Sequence, residues 1–99
     1  MEVITYNESD AVVVALSGHL LATTADIARK ALNDALETTD KLILDMEDVD
    51  FMASSGLRVI LEIMKKMSQK GGVFQIRNVN ETVLEVLDMT GMTSFLNIV

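Results

Sequence analysis

Apolar residues recur along the chain in two rhythms. Val3-Ile4-Thr5-Tyr6 is a short β-type run, and Asn7 to Asp10 is polar turn material. Ala11-Val12-Val13-Val14-Ala15-Leu16 is rich in β-branched side chains and is punctuated by Gly18, so the two runs predict an antiparallel hairpin. After Thr23 and Thr24 the spacing becomes helical. Ile27, Ala31, Leu32 and Ala35 share one face, while Asp26, Arg29, Lys30, Asn33, Asp34 and Glu37 take the wet one. Thr38-Thr39-Asp40 ends that segment.

Leu42-Ile43-Leu44 is apolar throughout, as expected of a strand buried on both faces. Asp45, Glu47, Asp48 and Asp50 follow, and this acid cluster is expected to end the strand and favour the N-terminus of the next helix. Beyond Phe51 and Met52, Ser54-Ser55-Gly56 opens the strongest helical pattern. Leu57, Ile60, Leu61, Met64 and Met67 form its apolar stripe, opposite Arg58, Glu62, Lys65, Lys66 and Gln69. Gly71-Gly72 stops it. Val73 to Arg77 alternates as a half-buried strand. Asn78 and Asn80 are candidate N-caps, with Glu81 three residues after Asn78. Val83, Val86 and Leu87 mark the last helix, Gly91 its stop, and Ser94 to Val99 a final short strand.

The order β-β-α-β-α-β-α, with room for a terminal β, predicts an α/β fold: a mixed four- to five-stranded sheet with about three helices packed on it. Strand Leu42–Asp45, the helix from Ser54 and strand Val73–Arg77 make one right-handed crossover unit.

Composition narrows the possibilities. A chain of 99 residues suits one domain, assigned to 1–99, and 49% hydrophobic with 23% charged residues is globular rather than disordered composition. The net charge of -7 argues against nucleic acid and anionic lipid as partners. With no cysteine, disulfide scaffolds, thiolate zinc sites and cysteine nucleophiles are excluded. The N-terminus has no basic-then-apolar targeting pattern, so a cytoplasmic protein is expected. Charge is uneven: residues 1–52 carry 11 acids and 3 bases, residues 53–99 carry 4 acids and 5 bases. A basic partner surface is one use of the acidic half, and a solvated surface is the other.

Candidate chemistry is sparse. The acid cluster lacks the glycine turn and closing glutamate of a calcium loop, so no metal is expected. His19, the one histidine, has no second histidine or cysteine to share a metal with. Ser54 and Ser55 are more informative. Met52 stands where a nucleophile elbow needs glycine, which argues against a hydrolase. Ser54 lies where a central strand meets a helix and is expected to be its N-cap. The carboxyl end of a parallel strand is also where α/β folds place sites, and a helix N-terminus tolerates phosphate there.

Phe51-Met52-Ala53-Ser54-Ser55-Gly56-Leu57, with the helix over Arg58–Lys66, resembles the signature of STAS domains, and among them the bacterial anti-sigma factor antagonists. The likeness extends over nearly the whole chain: Leu16-Ser17-Gly18-His19-Leu20, the strand Leu42–Asp45, Gly71-Gly72 before a strand, and Leu87-Asp88-Met89-Thr90-Gly91-Met92. The resemblance implies a non-enzymatic binding protein with no cofactor of its own. Its partners would be an anti-sigma factor that is also a serine kinase of the histidine-kinase-like ATPase type, holding ATP and magnesium, and a PP2C-type phosphatase. Unphosphorylated antagonist captures the kinase and frees the sigma factor; phosphorylation at Ser54 reverses this. The partner surface implied comprises Ser55, Gly56, Leu57, Arg58, Val59, Glu62 and Ile63 around Ser54, with Leu21 and Thr23 from the loop before. Many relatives have aspartate where this chain has Ala53 and Leu21, and both departures bear on the choice of kinase.

Two questions stay open in the sequence. Arg58, one turn past Ser54, can meet a phosphate there or pair with Glu62. Val59 and Ile63 can supply an apolar partner surface or the edge of the core. Two other functions also fit: a phosphorylation-independent STAS module of a stress-signalling or lipid-transport complex, and a phosphocarrier using His19. Leu20, Leu21 and Ala22 replace the arginine that a carrier histidine needs nearby, which disfavours the latter.

Overall fold

A computed structural model describes residues 1–89 and 91–99, so Thr90 of the segment 87–92 lies outside the described residues. The elements run β1 (Glu2–Glu8), β2 (Ala11–Leu20), α1 (Ala25–Leu36), β3 (Lys41–Met52), α2 (Ser54–Gln69), β4 (Val73–Arg77), α3 (Glu81–Met89), a 3-10 turn at Met92–Ser94 and β5 (Asn97–Ile98). The sheet order is β1-β2-β3-β4-β5. The β1/β2 hairpin is antiparallel and every other pairing is parallel. The mixed sheet and its three helices agree with the expected fold. The hairpin turn is tighter than expected: Asn7 and Glu8 stay in β1, and Ser9 turns the chain with φ +55°.

All three helices cover one face of the sheet. Val12, Val14 and Leu16 of β2, Leu42 and Leu44 of β3, and Phe74 and Ile76 of β4 share a core with α1, α2 and α3. On α1 the buried residues are Ala25, Ala28, Leu32 and Ala35. Ile27, expected on this face, is 46% exposed. It lines a shallow groove with Val3 and Thr5 of β1.

The acid cluster does not end the strand. β3 continues through it to Met52, and exposure there follows a period of three: Met46, Val49 and Met52 are buried, while Glu47, Asp48, Asp50 and Phe51 are exposed. Two register shifts against β2, at Ala15/Ser17 and at Gly18/His19, explain the period. Each gives β3 an extra residue, so the strand bends and its acids stay in water. Gly18 takes φ +110° at this irregularity, a conformation open to glycine and strained for other residues.

Among the described residues no helix covers the other sheet face, yet Val13 and Ile43 are buried there. A polar strap covers them. Arg77 of β4 donates from Nε to Asp45 Oδ2 (3.0 Å), from Nη1 to Glu8 Oε2 (2.6 Å) and from Nη2 to the Tyr6 hydroxyl (3.0 Å). Linking β4 to β1 means crossing β2 and β3, so these side chains lie over Val13 and Ile43. Asp45 also accepts from the Asn78 amide (3.2 Å). Asn78, with φ +59°, is therefore not a helix cap. That role falls to Asn80, whose Oδ1 accepts the Val83 N–H at 2.8 Å.

Candidate functional site

Strands β2 and β3 end side by side, Leu20 opposite Met52. The Ala53 N–H donates to the Leu20 carbonyl (2.9 Å), which ties the start of α2 to the end of β2. Ala53 itself occupies the cap position, with extended backbone and no side-chain cap bond. Its carbonyl accepts from the Gly56 and Leu57 N–H groups at 3.0 and 3.3 Å. Ser54 is thus the first helical residue rather than the N-cap expected from sequence. Its hydroxyl caps nothing, and the residue is exposed. Ser55 is half-buried, and its hydroxyl is enclosed without a hydrogen-bond partner.

Gly56 fixes how closely the helix approaches. A Cβ built there would stand 2.6 Å from Leu20 Cγ and 2.7 Å from Met52 Cγ. Both neighbours are fully buried and cannot swing away. Gly56→Ala is expected to destabilise the fold by about 1–3 kcal/mol through overpacking, partly offset by about 1 kcal/mol of helix propensity. A lower urea midpoint at unchanged slope checks it; an unchanged midpoint contradicts the close approach.

The loop from β2 to α1 borders this corner. The Thr24 hydroxyl donates to the His19 carbonyl (2.8 Å) and accepts the Leu21 N–H (2.9 Å). Leu21 is half-buried, and Thr23 and His19 are exposed. Helices α1 and α2 run in the same direction, cross-linked at matched positions by Arg29 Nε to Glu62 Oε2 (2.9 Å) and Lys66 Nζ to Asn33 Oδ1 (2.6 Å). Both N-termini therefore emerge at the same end of the sheet. The Arg29 hydrogen bond holds the Glu62 carboxyl below its ordinary range, against the opposing effect of burial.

The residues expected around Ser54 divide sharply. Ser54, Thr23 and Arg58 are exposed, and Ser55, Glu62 and Leu21 are half-buried. Val59 and Ile63 are each 0% exposed, so they belong to the core and not to a partner surface. Gly56 and Leu57 are also buried, and they position the corner rather than face outward. The reason is the packing of α1 on that flank of α2. Phe51, the first residue of the signature, is 44% exposed next to His19 in the strand register. Asp45 is drawn away from the other acids to Arg77. Among the described residues no group of three or more His, Cys, Asp and Glu side chains is placed to hold a metal ion.

A family model described as STAS domain matches residues 2–99. The chain belongs to the STAS domain family. This STAS domain is 38% identical over 82 residues to the anti-sigma F factor antagonist of Paenibacillus polymyxa, covering 81% of this chain and 70% of that protein. It is 28% identical over 92 residues to the anti-sigma-B factor antagonist of Bacillus subtilis, covering 93% and 84%. Among solved structures it resembles an anti-sigma factor antagonist from Mycobacterium paratuberculosis (TM-score 0.89, 18% identity, 98% of this chain and 83% of that one). It also resembles the anti-sigma factor antagonist SpoIIAA in its unphosphorylated form (TM-score 0.81, 22% identity, 99% and 88%). At those identities the two structures establish the shared fold.

Proposed function

We propose that this STAS domain is an anti-sigma factor antagonist switched by phosphorylation of Ser54. The observation that carries the reading is Ser54 itself: exposed, first in α2, and held against the ends of β2 and β3 in a chain 38% identical to an anti-sigma F factor antagonist. The domain acts by binding. Its partner is an anti-sigma factor with serine kinase activity, and a PP2C-type phosphatase resets it. In the transfer, the Ser54 Oγ bonds to the γ-phosphorus of the kinase's ATP, the bridging P–O bond breaks to release ADP, and the serine proton passes to a base on the kinase. The product places about -1.5 to -2 charges where first-turn N–H groups lack intrahelical acceptors. The helix survives while the surface seen by the partner becomes more negative.

Ser54, Ser55, Arg58, Glu62, Leu21 and Thr23 make up the assigned partner surface. No helix among the described residues is long and apolar enough to cross a membrane, and the proposed setting is the cytoplasm. Calorimetry with the anti-sigma factor tests the switch. Ser54→Ala is expected to bind within about twofold of the unmodified chain, and Ser54→Asp at least tenfold more weakly, about 1.4 kcal/mol. Equal binding by both variants would overturn the switch and leave a phosphorylation-independent module.

A further inference from the structure

Of the two partners that the sequence leaves to Arg58, Glu62 forms no hydrogen bond or ion pair with it, and the Arg58 charge acts on that carboxyl only at longer range, helping to hold it low. Glu62, its neighbour one turn on, is held across the helices by Arg29 at 2.9 Å, and Arg29 also contacts Asp26. Arg58 is exposed and enters no ion pair or hydrogen bond among the described residues. It stands four residues after Ser54, about 6 Å along the helix axis. Long side chains on a helix lean toward its N-terminus, which puts the first turn within reach of the guanidinium. Lys65 also lacks an ion pair but lies about 16 Å from Ser54 along the axis. The other charged or titratable groups at this corner are Asp26 and Arg29 on α1, His19 at the end of β2, and Asp50 on β3.

We propose that Arg58 is an intramolecular clamp for a phosphate on Ser54, an inference that rests on the phosphorylation reading above. First-turn N–H groups meet the phosphate from the helix end, and the guanidinium fork meets it from the flank with charge-assisted hydrogen bonds. The Arg29–Glu62 pair makes this possible, because a free Glu62 carboxylate would compete for Arg58. Phosphorylation then does two things at once: it adds a dianion and withdraws a cation from the exposed face. Arg58 is a positioning residue in this scheme, acting on the phosphate and not on the transfer step.

The test uses the full chain with phosphoserine inserted at position 54 during translation, so no kinase is required. A His19→Gln background removes the one imidazole of the chain. Phosphorus NMR then follows the second ionisation of the phosphate with pH. With Arg58 present it is expected below the ordinary value near 6. Arg58→Gln should raise it by about half a unit or more, and Arg58→Lys should restore part of the shift. The same midpoint in Arg58→Gln as in Arg58 protein overturns the clamp. Capture of the anti-sigma factor by the same samples separates the two claims. An unchanged titration with lost capture removes only the clamp, whereas a shifted titration with retained capture supports the clamp and removes the switch.

Discussion

Ile63→Ala is expected to cost about 3 kcal/mol of folding stability, within the 2–5 kcal/mol range of core isoleucine truncations. Ile63 is 0% exposed and belongs to the cluster shared by all three helices and the sheet. Removing its outer carbons deletes transfer free energy and leaves a cavity between α2, α1 and the sheet that rigid neighbours fill poorly. For a chain of 99 residues, whose stability is about 5–15 kcal/mol, that is a large fraction. The thermal midpoint should fall by roughly 10 °C or more. Urea unfolding checks the free energy, with Leu61→Ala as comparison: Leu61 is half-buried on the opposite flank and should cost clearly less. The reverse order would mean that the apolar stripe read from sequence is the true core face. A weakened partner affinity with an unchanged midpoint would mean that Ile63 faces the partner.

That comparison also shows what the sequence could and could not disclose. Apolar residues at 57, 59, 60, 61, 63, 64 and 67 wrap more than half of α2, so the charged positions fix its wet side without fixing which flank is covered. The stripe chosen from sequence is turned roughly 60° from the buried one at 100° per residue. The missing information is non-local: α1 lies along the flank that presents Val59, Glu62, Ile63 and Lys66, tied there by Arg29 and Asn33. The hairpin, the apolar start of the central strand, the crossover through α2 and the glycine stops were legible because local periodicity and turn chemistry determine them. Ser54 was legible as a strand-to-helix corner but was displaced by one residue from its true position, since nothing in the pattern says that an alanine occupies the cap. The continuation of β3 was hidden because bulges turn the expected alternation into a period of three, which reads as a polar loop. The strap was hidden as well, since Arg77 lies 32 residues from Asp45 and 69 from Glu8.

The strap carries the second large effect. Asp45 is 8% exposed and accepts from the Glu47 N–H (3.0 Å), the Asn78 amide (3.2 Å) and Arg77 Nε (3.0 Å). Asp45→Ala takes the acceptor from all three donors, the Glu47 N–H, the Asn78 amide and Arg77 Nε. It is expected to cost about 3 kcal/mol, the lower end for a broken buried pair, because Arg77 keeps Glu8 and Tyr6. Burial by itself would raise the Asp45 pKa, but the Glu47 N–H, Asn78 and Arg77 together outweigh it and hold the carboxyl below its ordinary range. A carboxyl depressed in the folded state contributes stability that is complete above its unfolded pKa, near 3.9, and is lost as pH falls through the folded value. The unmodified chain should therefore lose stability below about pH 4 more steeply than Asp45→Asn, which has no charge to surrender. Glu62 titrates in both proteins and cancels in the difference. Unfolding free energies at pH 7 and pH 3 check this, and parallel losses in the two proteins would mean that the strap holds Asp45 no more firmly as an anion than as an acid. Because the strap lies on the face opposite the helices and away from Ser54, Asp45→Asn should leave capture of the anti-sigma factor unchanged at neutral pH wherever the protein remains folded.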